Sequence, residues 1–200
     1  MSEMSPAAPG EGKADTRKRN LIIAASLVPV VALFALLGWA LVQSGGNPGG
    51  FGVNRSFGEV AVEQQPSPDF AKSDLNGNMV SLSELRGKVV MLDFWSSWCP
   101  PCRQEAPALA RVYREYEGKN VEFVGVAIWD DPGDVGRYAQ EFDLPYPNVL
   151  DEKGQIAINY GVSGIPEKFF VDARGTLVRK FVGPMESEDL RATLDQLLTP

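Results

Sequence analysis

The feature that most constrains this chain is a pair of cysteines, Cys99 and Cys102, between a strand and a helix. The run Val89–Trp95 is apolar apart from one aspartate, which predicts a strand buried on both faces. From Pro100 to about Glu117, apolar residues recur at helical spacing. Cys99 is therefore expected at a helix N-terminus, where unpaired N–H groups and the helix dipole favour a thiolate. Sulfurs three residues apart on a first helical turn can close a small disulfide, and we expect that pair to exchange thiols. A purely structural bridge is the alternative, but so short a loop stabilises a fold little.

Composition excludes most other catalytic chemistry. The chain has no histidine and only these two cysteines, so a Ser-His-Asp triad, a Cys-His pair and a His-ligated zinc are ruled out. Two thiolates cannot complete a zinc or iron–sulfur site, and Arg103 stands where a c-type haem attachment site needs histidine. No metal or other cofactor is expected. The formal charge of -7 argues against a nucleic-acid partner.

The N-terminal third divides into three segments. Residues 1–20 are polar, end in a basic cluster and are expected to form a cytoplasmic tail. Residues 21–42 carry no charge and are long enough to cross a bilayer, which predicts a single transmembrane anchor. Because basic residues precede this run, the remainder of the chain is expected outside the cytoplasm. A cleaved signal peptide is the alternative, although the apolar run is long for one. Residues 43–66 begin with a glycine-rich stretch and predict a flexible linker to a domain over residues 67–200.

That domain alternates strands and helices. An Asn-Gly turn between residues 70–73 and 79–82 predicts a hairpin. The other predicted strands and helices are strands at Val121–Trp129, Lys168–Val171 and Thr176–Val182 and helices at Asp134–Phe142, at Gln155–Tyr160 and from Ser187 onward. The fold class is therefore α/β, with a central mixed sheet flanked by helices.

Two segments carry a family resemblance. Asp93–Pro107, DFWSSWCPPCRQEAP, resembles the active-site strand and helix of the thioredoxin superfamily, and Gly161–Asp172 resembles the segment with its cis-proline. The hairpin and the added helix near residues 134–142 are similar to the membrane-tethered ResA, TlpA and CcmG (DsbE) branch. The resemblance implies a thioredoxin-like fold with an N-terminal hairpin and a central insertion, preceded by one transmembrane helix. It also implies an extracytoplasmic protein-disulfide oxidoreductase.

The resemblance further implies partners and residue roles. Most relatives are reductants in cytochrome c maturation, so the expected partners are a protein disulfide such as that of apocytochrome c and a membrane thiol transporter as electron donor. Cys99 would attack the substrate, and Cys102 would resolve the mixed disulfide by closing the Cys99–Cys102 bridge. Pro166 would be cis and would leave the Ile165 backbone free to pair with a substrate strand. The other residues expected beside the substrate are Trp98, Pro100, Pro101 and Glu167.

Two acids are candidates for the proton acceptor of Cys102. Glu105 lies one helical turn after Cys102 and matches an acid of the ResA and CcmG group, although a solvated surface glutamate would have the same spacing. Asp93 departs from that branch, in which an uncharged polar residue is expected. A carboxylate within an apolar strand is costly unless it is protonated or hydrogen-bonded. Which of the two acids accepts the proton stays open, and two such acids should titrate as a coupled set.

Other functions remain as alternatives. The Pro-Pro dipeptide does not decide between a net reductant and a net oxidant or isomerase. Ser96, three residues before Cys99, stands where a thiol peroxidase of the peroxiredoxin type has Ser or Thr, but the preceding peroxiredoxin proline is missing. A non-catalytic domain that holds an assembly partner is the remaining alternative, which the intact cysteines and acids disfavour. Glu167 could equally take part in a surface salt bridge.

Overall fold

The computed structural model describes residues 13–43, 52–54 and 57–199, which fall into one unit before Gly52 and one from Gly52 onward. In the first unit the chain forms helix α1, Lys13–Gln43. In the described part of the chain, no helix combines the length and the apolar character needed to cross a membrane. The structure therefore does not support the transmembrane helix predicted over residues 21–42. Most of the predicted tail, residues 1–12, lies outside the described residues.

The second unit contains eleven strands and four α-helices among its described residues. The strands are Gly52–Val53 (β1), Gly58–Val60 (β2), Gln65–Pro66 (β3), Ala71–Ser73 (β4), Met79–Ser81 (β5), Val89–Trp95 (β6), Val121–Ile128 (β7), Asn148–Asp151 (β8), Gly164–Ile165 (β9), Glu167–Val171 (β10) and Thr176–Val182 (β11). The helices are Pro100–Tyr116 (α2), Pro132–Glu141 (α3), Gln155–Tyr160 (α4) and Ser187–Leu198 (α5), with a 3-10 turn at Leu82–Leu85.

The main sheet is mixed, as predicted. Its strands lie in the order β2-β11-β10-β6-β7-β8, and β3 also pairs with β11. Strands β6, β7 and β8 are parallel, whereas β10 and β11 are antiparallel to their neighbours. Strands β4 and β5 form the predicted hairpin, whose turn is held by the Asp74 carboxylate accepting the N–H groups of Asn76 and Asn78. Helix α3 forms at the position of the added helix that was predicted near residues 134–142.

Helices cover both faces of this sheet because the buried strand β6 presents apolar side chains in both directions. Met91 packs in a cluster with Leu109 of α2 and Leu190 of α5. Phe94, three residues further along β6 and on its other face, packs in a second cluster with Tyr160 of α4. Burying one such side chain contributes about 1.5–3 kcal/mol, so the two clusters fix the position of the strand that leads to the cysteines.

The stretch expected to be a linker differs from that expectation where the structure describes it. Within residues 43–66, strands β2 and β3 pair with β11, and β1 pairs in parallel with β9. The physical reason is that β11 would otherwise leave backbone N–H and C=O groups unpaired along its outer edge. The compact unit accordingly begins at Gly52 and not at residue 67. The glycine-rich residues 44–50 lie outside the described residues.

Candidate active site

The two cysteines lie where β6 ends and α2 begins. Cys99 is the N-cap residue of α2, and its Sγ accepts the N–H of Cys102 at 3.3 Å. Pro100 occupies the first helical position, where a missing N–H has no cost. The Sγ atoms are bonded at 2.12 Å, and the relative exposures of Cys99 and Cys102 are 0% and 1%. This location supplies the N–H group and the positive end of a helix dipole that favour a thiolate after reduction.

The predicted cis-proline lies at the junction of β9 and β10. The Ile165–Pro166 peptide bond is cis, and both residues are buried. The prediction that the Ile165 backbone is free for a substrate is wrong for this structure. The Ile165 carbonyl accepts the N–H of Asn54 at 2.8 Å, because β1 of the same chain pairs alongside β9.

Two exposed tryptophans lie beside the cysteines. Trp98 is 45% exposed, and its indole N–H donates to the Trp129 carbonyl at 2.9 Å. Trp129 is 49% exposed and has a φ of 54°, a backbone conformation that is uncommon for a bulky residue. Pro100 is exposed and Pro101 half-buried at the start of α2. Exposed indoles with one polar edge are common where a protein binds another polypeptide.

The fold buries three charged side chains on neighbouring elements, called here the buried triad: Asp93 of β6, Glu105 of α2 and Lys168 of β10. Their relative exposures are 3%, 5% and 0%. The Lys168 ammonium donates to Glu105 Oε1 and lies 3.5 Å from Asp93 Oδ1. Glu105 also accepts the N–H of Met185 at 2.9 Å through Oε2, and Lys168 also donates to the Gly183 carbonyl at 3.3 Å.

The triad brings two carboxylates to one ammonium. Burial raises the pKa of Glu105 to about 7, with Lys168 opposing the shift and the Asp93 charge adding to it. Burial also raises the pKa of Asp93, again against the attraction of Lys168. Among the described residues, Oδ1 of Asp93 has no hydrogen-bond partner. The cluster can therefore take up and release a proton near neutral pH. Glu105 is buried and is not the solvated surface residue that the sequence left as an alternative.

Glu167 belongs to a separate ion pair. Its side chain is fully buried, and Oε2 lies 2.8 Å from the Lys180 ammonium. Oε1 accepts the Ser163 hydroxyl at 3.1 Å. Because successive side chains of a strand point to opposite faces, Glu167 and Lys168 face away from each other across β10.

The sequence analysis missed Lys168, Trp129 and Tyr138. A lysine between Glu167 and two phenylalanines of a buried strand was the available signal for Lys168, and its register opposite Asp93 gives the reason. The Tyr138 hydroxyl donates to the Cys102 carbonyl at 2.9 Å, and its ring stacks on Trp95 at a centroid distance of 4.1 Å.

Ser96, considered for a peroxidase, is buried and uses its hydroxyl as a donor to the Ile128 carbonyl. This hydrogen bond ties the end of β6 to the end of β7. The serine therefore has a structural use in the fold.

Comparisons with known proteins agree with this site. The sequence profile of the AhpC/TSA family matches residues 64–180. Thiol-disulfide oxidoreductase ResA of Geobacillus thermodenitrificans is 35% identical over 131 residues, which cover 66% of this chain and 75% of that protein. A thiol:disulfide interchange protein of the thioredoxin family from Chlorobium tepidum is 26% identical, with a TM-score of 0.64 over 70% of this chain and 99% of the other. A secreted disulfide oxidoreductase of Mycobacterium tuberculosis homologous to E. coli DsbE is 32% identical, with a TM-score of 0.58 over 64% and 96% of the two chains.

Proposed function

The chain belongs to the AhpC/TSA family and is a thiol-disulfide oxidoreductase of the ResA and DsbE type, and from this premise we propose that it is a net reductant of protein disulfides. The thioredoxin-like α/β fold predicted from the sequence is confirmed, and the enzyme catalyses dithiol–disulfide exchange.

The observation that carries the proposed direction is the carboxylate excess of the buried triad. A dithiol becomes a strong oxidant when its reduced form is stabilised, chiefly as a thiolate. Here Glu105 lies one helical turn after Cys102, and Lys168 is the cation that faces both Glu105 and Asp93. Ionised carboxylates disfavour a further negative charge nearby, so they oppose the stabilisation of a thiolate that the helix N-terminus supplies. Such a pair releases its electrons readily.

The exchange follows from the positions of the two sulfurs. In the reduced enzyme the Cys99 thiolate attacks one sulfur of the substrate disulfide, and the other substrate sulfur leaves as a thiolate. Cys102 then gives its proton to a carboxylate of the triad, attacks Cys99 Sγ and releases the second substrate thiolate. The substrate has gained two electrons, and the enzyme holds the Cys99–Cys102 disulfide. A protein dithiol must reduce this bridge before the next cycle.

Glu105 supplies the acceptor in this sequence because its pKa of about 7 lets it gain or lose a proton at physiological pH. It is one helical turn beyond Cys102, on the same buried face of α2. Met185 and Lys168 fix the carboxylate by hydrogen bonds, so it is held in place while its protonation changes. Asp93 and Lys168 act as positioning residues that set how readily Glu105 accepts the proton.

The partners and the location belong to the same proposal. Disulfides to reduce persist in oxidising compartments, so the domain is expected to work outside the cytoplasm. The substrate is a protein disulfide of the Cys-x-x-Cys-His type in apocytochrome c, and the electron donor is a membrane thiol transporter. The resemblance of the hairpin and of the added helix near residues 134–142 to the ResA, TlpA and CcmG branch supports both.

The reduction potential of the Cys99–Cys102 couple in the full chain tests the proposed direction. The chain would be equilibrated with dithiothreitol and glutathione buffers at pH 7, with fluorescence of the adjacent Trp98 as the signal and a Cys99→Ser, Cys102→Ser chain as the blank. A reductant should show a potential near or below the roughly -270 mV of thioredoxin. A potential near the roughly -120 mV of a strong oxidant would overturn the proposal and favour a disulfide donor.

A further inference from the structure

We propose that residues 52–54, called here the N-terminal strap, occupy the edge at which a protein substrate pairs, so that a substrate must displace them. The inference rests on the proposed function, because it concerns access of a polypeptide to Cys99. It identifies the surface of Gly164–Ile165 and the two tryptophans as the site for an extended peptide. The strap is the intramolecular competitor for that site.

The backbone of the strap makes the contacts that an added substrate strand would make. Gly52 and Val53 are in register with Gly164 and Ile165 in a parallel pair. Asn54 donates its backbone N–H to the Ile165 carbonyl at 2.8 Å. Addition of a strand to an exposed edge uses main-chain hydrogen bonds of this kind and depends little on the sequence of the added strand. Another extended segment can therefore replace the strap.

One side chain holds the strap at its C-terminal end, and the other end lies close to the two tryptophans. The Asn54 side chain donates through Nδ2 to the Pro166 carbonyl at 2.9 Å, which ties the strap to the cis-proline itself. At the other end, Gly52 has a φ of +93°, which favours glycine, and a Cβ there would lie 3.2 Å from the Trp129 ring and 3.6 Å from the Trp98 ring. A Cβ at Gly164 would collide with the Asn54 side chain. The strap therefore fits the surface closely, with its smallest residue against the tryptophans.

The burial of the nucleophile agrees with an occupied site. Cys99 has no accessible surface, yet its Sγ must reach a sulfur of another protein. The strap bonds to Ile165, the residue before the cis-proline, and leaves room for no more than a Cβ between Gly52 and Trp98, the residue before Cys99. Its displacement opens the edge beside the cysteines. The partner that this surface fits is an extended segment with a small residue facing the two indoles.

The experiment compares three variants of the full chain. Asn54→Pro removes the N–H that bonds to Ile165, and Gly52→Val clashes with Trp129 and disfavours the backbone conformation of residue 52. Glu63→Pro is the matched control, since Glu63 is exposed between β2 and β3 and a proline there leaves the β1–β9 pair intact. Each reduced chain would be assayed for kcat/KM with a disulfide-bonded peptide and with hydroxyethyl disulfide, which is too small to pair as a strand. Thermal unfolding would show that each variant is folded.

The strap variants should raise kcat/KM for the peptide about tenfold, because losing a few net hydrogen bonds frees a larger fraction of the binding-competent form. The rate with hydroxyethyl disulfide should change much less, and Glu63→Pro should match the wild type with both substrates. Peptide rates equal to the wild type in folded Asn54→Pro and Gly52→Val chains would overturn the inference. Slower peptide rates would also overturn it, because the strap would then be part of the substrate site.

Alkylation of Cys99 by iodoacetamide separates this inference from the proposed function. In the reduced chain, Asn54→Pro should be alkylated faster than the wild type or Glu63→Pro, whether or not the enzyme reduces proteins. If no chain reduces the peptide but Asn54→Pro is alkylated faster, the proposed reductant function is rejected and the proposal that the strap limits access to Cys99 is retained. If alkylation of Asn54→Pro is no faster than that of the wild type, the strap does not limit access and the inference falls.

Discussion

Strand β10 carries two adjacent charged residues, Glu167 and Lys168, and the fold treats them differently. Both are fully buried, and both are paired with an opposite charge. Glu167 faces one ammonium, that of Lys180, and also accepts the Ser163 hydroxyl. Lys168 faces two carboxylates, those of Asp93 and Glu105. The Glu167–Lys180 pair is balanced in charge, whereas the buried triad has two carboxylates and one ammonium.

The difference shows how one strand can serve structure on one face and chemistry on the other. In a buried pair of one carboxylate and one ammonium, the two charges compensate each other. A buried carboxylate in excess must find a proton or pay the full cost of desolvation. The pKa of Glu105 is raised to about 7 because the buried carboxyl group is more stable when it is protonated. Glu105 lies on α2 one helical turn after Cys102, so the surplus carboxylate belongs to the helix that carries the cysteine in need of a proton acceptor.

Removing the two lysines should give the largest difference between the pairs. Lys168→Met would leave two buried carboxylates without a cation and should lower the free energy of unfolding by about 3–5 kcal/mol at pH 8. Lys180→Met is the matched control. Its side chain is partly exposed and Ser163 would still donate to Glu167, so we expect a loss of about 1–2 kcal/mol. Urea denaturation of both full chains measures the two losses. Equal losses would mean that the extra carboxylate adds nothing to the dependence on Lys168.

The pH dependence of stability should expose the surplus carboxylate directly. The folded-state pKa of Glu105, about 7, lies above the ordinary 4.5, so the folded chain binds more protons than the unfolded chain between these values. The contribution of this group is therefore complete below pH 4.5 and is lost as pH rises through 7, with a total on the order of 3 kcal/mol. Glu105→Gln should reduce that decline to the part that Asp93 contributes, as measured by urea denaturation from pH 4.5 to 8. Glu167→Gln, which removes the carboxylate of the balanced pair, should retain it. A decline of the same size in Glu105→Gln would assign the titration to another group.

Most of the fold could be predicted from the sequence, because most of its strands and helices show a clear pattern in their own residues. The apolar run of β6, the helical spacing of α2 and the Asn-Gly hairpin each follow from neighbouring residues. The short strands β1 to β3 did not, since two or three residues have no periodicity and their pairing with β9 and β11 is set by distant parts of the chain. Glycine-rich composition in the same stretch pointed to a linker instead.

The residues of the site likewise fall into those that could be predicted from the local sequence and those that could not. The positions of Cys99 and Cys102 at a helix N-terminus follow from sequence spacing, and both candidate acids were named. Lys168 was not, because its role depends on the register that places it opposite Asp93 and on the arrival of Glu105 from α2. Because the partners of Lys168 lie on β6 and α2, no pattern in the residues next to it in the sequence could indicate its role. The occupied edge at Ile165 was missed for the same reason, since Asn54 is more than a hundred residues away in the chain.

The smallest expected effect concerns which acid of the triad takes the proton from Cys102. Glu105 accepts hydrogen bonds from Met185 and Lys168, which hold it in place, whereas Asp93 lies 3.5 Å from the same ammonium. Glu105→Gln should therefore slow release of substrate from the mixed disulfide about tenfold near pH 7, less than full loss of a general base, because Asp93 remains as a second acceptor. Asp93→Asn should slow the step less and shift its pH profile to lower values, since the Asp93 charge helps to raise the pKa of Glu105. Stopped-flow kinetics with a peptide disulfide across pH 5–9 measures both variants, with Glu167→Gln as the control from the balanced pair. A larger loss in Asp93→Asn than in Glu105→Gln would make Asp93 the acceptor and Glu105 its positioning partner.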